Sequence, residues 1–140
     1  MDWNEFVAAA TATSWIAYLG TADAQGHPHV SVVAPGFRPG VVWIATRPGS
    51  RKFRNLEENP SAALHWPVGG EGPGEIAAWG TAATHRSNEF RDQIWEDSPF
   101  AFDLEDFFGE RTAADVAFVE IRVDRARLLG PGFVRSEWRP

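Results

Sequence analysis

The sequence has no cysteine, which removes disulfide frameworks, thiolate metal sites, iron–sulfur ligation and cysteine nucleophiles in one step. The fold must therefore stand on packing alone. No apolar run approaches the roughly 18 residues of a membrane span, so no membrane partner is expected. The opening Met1-Asp2-Trp3-Asn4-Glu5 carries acid where a secretory leader needs base, and the expected location is cytoplasmic. Basic charge is scarce as well: 13 Lys and Arg face 19 Asp and Glu, for a formal net charge of -6. Neither nucleic acid nor an anionic bilayer is the expected partner, and any anion site has to be local. Histidine is sparse. His27 and His29 lie two apart, whereas His65 and His85 sit far along the chain, so none of the dense spacings of a metal site occurs and no metal is expected. There is no Gly-x-Ser-x-Gly elbow, and the loop from Gly69 to Gly74 lacks a dinucleotide fingerprint. Hydrolase and Rossmann readings fall away.

What is present is apolar bulk. At 140 residues the chain has the length of one domain, read as residues 1–140, and 44% hydrophobic residues with 7 Trp and 10 Phe supply a core and exclude disorder. Asp2 caps a helix through about Ala12, with Trp3, Phe6, Val7 and Ala10 on one face. The period then changes to that of strands at 14–21 and 28–34, joined by the hairpin Asp23 to Gly26. Pro35-Gly36 and Pro39-Gly40 bracket a turn before a third strand at 41–46. Ser50 to Asn59 reads as a helix with Ser50 at its N-cap and Pro60 as its stop. Strands follow at 62–68, 76–84 and 116–129, with helices at 87–97 and 104–108 and a tail from Gly130 to Pro140. Six strands with helices too few for parallel crossovers predict a mainly β fold, an antiparallel barrel or sandwich with short peripheral helices, the small six-stranded barrel being preferred.

The chemistry concentrates at Thr46-Arg47-Pro48-Gly49-Ser50-Arg51-Lys52-Phe53-Arg54. Four basic residues stand here without an acid in an otherwise acidic chain, and Lys52 is its one lysine. Strand end, Pro-Gly turn and helix start bring free amides, the positive end of the helix dipole and the hydroxyls of Thr46 and Ser50 together. Two readings stand side by side: a phosphate site, or the solvated first turn of a helix.

Gly49-Ser50-Arg51-Lys52, preceded by Thr46 and followed by Leu56 and Asn59-Pro60, resembles the FMN-phosphate segment of the pyridoxamine 5'-phosphate oxidase-like FMN-binding split barrels. Gly26 to Val33 is similar to the family's second strand and Ile76 to Ala82 to its fifth, so the resemblance covers roughly residues 14–85 well. It implies a split barrel, a homodimer with FMN in a cleft between subunits, and a flavin-dependent oxidoreductase acting by hydride transfer on a small molecule. Thr46, Ser50, Arg51 and Lys52 would hold the phosphate, and Val30, Ser31 and Val32 would line the flavin ring. The oxidases carry an Arg early in the second strand where this chain has none, His29 being the nearest stand-in, and Glu75 stands near the position of their glutamine. No His follows His85, so the oxidases' C-terminal substrate contacts are missing and the likeness is to the smaller general-stress-protein type. A deazaflavin coenzyme in place of FMN, or a flavin sensor without turnover, are the alternatives.

Two further stretches carry expectations. Phe100, Phe102, Phe107 and Phe108 alternate with acids between Glu96 and Glu110, which predicts a wet acidic side and a Phe side packed on the barrel, shaping the mouth of a pocket. Trp138 and Arg139 near the end are expected to return to the flavin cleft, Trp138 on apolar surface and Arg139 on an anionic group.

Overall fold

Asp2 accepts a hydrogen bond from the Glu5 amide at 2.9 Å while the Glu5 carboxylate accepts from the Asp2 amide at 2.7 Å. This reciprocal cap starts helix α1, Trp3–Thr13, in a computed structural model that describes residues 1–140. The helix plugs one end of a barrel: Phe6 and Ala10 are fully buried, and Phe6 meets the Trp66 ring edge-on at 5.6 Å.

The strands are β1 (Ala17–Ala22), β2 (Pro28–Val33), β3 (Gly36–Arg38), β4 (Val41–Thr46), β5 (Ser61–His65), β6 (Glu75–His85), β7 (Ala117–Leu129) and β8 (Arg135–Trp138). They form one antiparallel sheet in the order β2-β1-β5-β6-β7-β4-β3, with β8 added to β7. The sheet curls around its core, and β2 and β3, its two ends, do not pair with each other. The barrel is therefore split.

Eight strands replace the six read from the sequence. β3 lies within the turn expected between Pro35 and Gly40, and β8 within the expected tail. Each is three or four residues long and is held in a hairpin by its neighbour in the chain: Gly36 to Arg38 on β4, Arg135 to Trp138 on the last residues of β7. Such short segments carry too few residues for a period to register.

Helix α2 (Arg51–Glu58) buries Phe53, Asn55 and Leu56, and the Asn55 side-chain amide donates to the Thr21 hydroxyl at 3.1 Å, tying the helix to β1. Helices α3 (Asn88–Asp97) and α4 (Leu104–Phe108) build a second apolar cluster outside the barrel, where Ile94, Phe100 and Leu104 pack with Trp43 and Phe118. The chain between these helices is clamped to β3. The Phe37 amide donates to the Pro99 carbonyl at 3.3 Å and the Arg38 guanidinium to that of Asp97 at 2.7 Å. A Cβ at Gly36 would lie 2.6 Å from the Pro99 oxygen, so the approach requires glycine. No helix is long and apolar enough to cross a membrane.

His85, at the end of β6, stacks on Phe90 of α3 with centroids 3.8 Å apart and planes within 7°. Its Nε2 is buried without a partner, and burial holds the imidazole below its ordinary 6.5, partly opposed by Glu120. The neutral form is thus favoured in the folded state, and stability present above pH 6.5 is lost as pH falls toward the lowered value. His85→Phe is expected to flatten this loss in a series of melting curves taken downward from neutral pH. A slope equal to that of the wild type would show that the stack is insensitive to charge.

Candidate functional site

Thr46 ends β4 and is 7% exposed. Its hydroxyl lies 3.1 Å from that of Ser50, which caps α2 by accepting from the Phe53 amide at 3.4 Å. The tight turn between them is closed by the Ser50 amide on the Arg47 carbonyl at 3.0 Å. Two hydroxyls are therefore fixed at the positive end of a helix whose first amides have no intrahelical partner. Lys52, in that first turn, is half-buried, and desolvation alone pulls its ammonium below the ordinary 10.5. An opposite charge beside it would have raised that value; none does.

The basic island divides around this point. Arg51 and Arg54 are exposed. Arg47 does not line the pocket that follows: it donates to the Asp115 carbonyl at 3.3 Å with its guanidinium 5.4 Å over the Phe108 ring. Lys52 is thus the cation directed into a pocket of about 240 Å³, whose walls include Trp15, Val32, Ala45, Phe107 and Phe108 and in which it is the one charged side chain.

Strand alternation sorts the residues of β2. Val30 and Val32 share the outer face and are 66% and 55% exposed, whereas His29 and Ser31 face the other way. The Ser31 hydroxyl is buried without a partner. Val30 borders a second hollow of about 240 Å³ with Tyr18, His65 and Trp79. Glu75, at the rim of that hollow, is bound to Arg127 at 2.6 Å, and Arg125 and Arg127 lie 4.2 and 5.0 Å from the Trp79 ring. His29 stands opposite Thr21 in the β1–β2 ladder and does not line the Lys52 pocket.

The structure therefore brings Thr46, Ser50, Lys52 and Val32 to one place, with Val30 adjoining, whereas the Ser31 side chain lies on the opposite face of β2. Within the chain it does not bring the tail there. Trp138 packs 4.8 Å from the Trp3 ring, beside Gly40 at the far end of β4 from Thr46, and Arg139 is exposed, 3.8 Å from Glu137. Deleting residues 136–140 removes β8 and this aromatic contact. An expected loss of about 1.5–3 kcal/mol for a large apolar side chain lowers Tm on the order of 5–10 °C, readable by calorimetry. A truncated chain melting with the full one would mean that Trp138 contributes nothing to the barrel. Sequence reasoning missed Trp15 and Ala45 as pocket walls. The signal available for Trp15 was a large aromatic at the entry of a strand, which the structure leaves 64% exposed.

The pyridoxamine 5'-phosphate oxidase family model matches residues 4–130. No curated protein matches the chain. Among solved structures, the chain is similar to general stress protein 26 of Bacillus anthracis, at TM-score 0.73 and 16% identity over 100% of both chains. It is also similar to a pyridoxamine 5'-phosphate oxidase-related, FMN-binding protein of Nostoc punctiforme, at TM-score 0.69 and 12% identity over 100% of this chain and 97% of that one. A heme-binding protein of Mycobacterium smegmatis aligns at TM-score 0.71 and 19% identity, over 96% of this chain and 57% of its own. At these identities the likeness concerns the fold.

Proposed function

Because the chain belongs to the pyridoxamine 5'-phosphate oxidase family, we propose that it binds FMN and acts as a flavin-dependent oxidoreductase on a small molecule. The observation that carries this reading is the desolvated, unpaired Lys52 beside the Thr46–Ser50 hydroxyl pair, at a helix start that opens into an apolar pocket. A phosphate dianion would supply the charge that Lys52 lacks and accept from the hydroxyl proton that the Thr46–Ser50 bond leaves over and from the first-turn amides that Ser50 does not cap. Arg51, exposed at the same turn, would add long-range attraction. Val32 with the Phe107 and Phe108 rings would exclude water from the ring system. When bound, the flavin supplies the hydride chemistry; the protein's part is to bind, orient and keep the site dry.

An iron porphyrin, as in the mycobacterial neighbour's name, needs an axial His, Cys, Met or Tyr. The Lys52 pocket is lined by none of these, although Tyr18 and His65 border the adjoining hollow; the phosphate-type arrangement at Lys52 is what favours flavin.

The reading includes a homodimer. Tyr18, Val30 and Val32 leave an apolar stripe on the outer face of β1 and β2, next to Trp79, and a second copy would cover it and close the flavin cleft. Such large apolar patches mark association surfaces.

Titration with FMN tests the reading. Binding is expected to saturate, and its affinity to fall as pH rises through the lowered Lys52 value, because the dianion favours the ammonium that alkali removes. An affinity constant across the alkaline range would place the phosphate elsewhere.

A further inference from the structure

Beside the Lys52 pocket lies a second cavity of about 280 Å³, between the end of α1, β3 and the α3–α4 connection. The two share the rings of Trp15 and Phe102 as a common wall. Its remaining surface is Pro35, Phe37, Pro99 and Ala101, with the hydroxyls of Thr11 and Ser14, and no ionisable side chain lines it. The wall is preformed. The connection that carries Pro99 and Phe102 is clamped to β3 by the Phe37 and Arg38 hydrogen bonds and by the close approach at Gly36, and Phe100 roots it in the second apolar cluster.

These features define the occupant's chemistry. The volume falls just below the roughly 300–1,000 Å³ of small-molecule sites, which suits a single ring. A charge would be buried there without a partner, so the ring must be neutral. The Thr11 hydroxyl already donates to the Val7 carbonyl at 2.7 Å, whereas the Ser14 hydroxyl accepts from the Ile16 amide at 3.1 Å and keeps its proton to give. The ring is therefore one that carries a hydrogen-bond acceptor.

We propose that this cavity is a ligand site, taking an uncharged single-ring aromatic molecule with a carbonyl-type acceptor that meets Ser14. It is separate from the flavin reading, since the Trp15 and Phe102 rings divide it from the Lys52 pocket.

Acetophenone and benzoate, titrated by calorimetry into the full chain with and without added FMN, test the assignment. Acetophenone is expected to saturate in both states, and benzoate, of the same shape but charged, to bind at least about ten-fold more weakly. Ala101→Trp, at an exposed position that tolerates bulk, is expected to fill the cavity and abolish acetophenone binding while leaving the FMN titration unchanged. Ser14→Ala is expected to weaken acetophenone about five-fold, as loss of one hydrogen bond does. Absence of saturation, equal binding of benzoate, or indifference to both substitutions overturns the proposal. If FMN fails to bind while acetophenone binds and Ala101→Trp removes it, the cavity stands and the flavin reading falls.

Discussion

Lys52→Met is expected to lower FMN affinity by about 10- to 150-fold while leaving riboflavin affinity nearly unchanged. The arithmetic is that of one charge-assisted hydrogen bond, worth about 1.5–3 kcal/mol, with each 1.4 kcal/mol being about ten-fold. Methionine keeps the apolar stem that packs at the pocket wall, so the substitution isolates the charge. The same change is expected to hold or raise the Tm of the protein without FMN, since burial disfavours the Lys52 ammonium and nothing in the chain pairs with it. Lower affinity with equal or higher stability is the mark of a residue kept for a ligand. Ser50→Ala is a less clean probe, because Ser50 also caps α2 and its loss costs about 1 kcal/mol of helix stability. Equal losses for FMN and riboflavin on Lys52→Met would remove the phosphate assignment.

The paired substitution Val30→Glu with Val32→Glu is expected to convert a dimer of twice 15.5 kDa into a monomer. In an isologous interface each change occurs twice. An uncompensated buried charge costs about 3–5 kcal/mol, so even partial burial of these carboxylates outweighs the affinity of an ordinary interface. Both side chains are more than half exposed in the single chain, which leaves the barrel itself undisturbed. Light scattering reads the mass, and the far-ultraviolet dichroism should stay as it is. If the variant remains a dimer, the subunits meet elsewhere and the outer face of β2 needs another explanation.

Much of this architecture was legible because its signals are local. Ser50 as the cap of α2, Asp2 as that of α1, and the strand periods of β1, β2 and β4 each depend on residues within a few positions of one another. So do Thr46, Ser50 and Lys52, which a single turn and the start of one helix hold together. The acidic-aromatic stretch was readable for the same reason: Phe100 and Leu104 are buried, and Phe102, Phe107 and Phe108 border the Lys52 pocket. The rest depended on separations in sequence that no period encodes. Trp15, Ala45 and Phe107 become neighbours through the curl of the sheet and the docking of α4. β3 is a strand because β4 pairs with it and the α3–α4 connection presses on Gly36. Trp138 finds Trp3 across the whole length of the chain.

The most direct measurement is the absorbance spectrum of the purified protein together with the mass of the small molecule it releases on denaturation. Flavin absorbance and FMN, one per chain, are expected. A colourless protein that FMN does not saturate, or a released deazaflavin or porphyrin in its place, would contradict it.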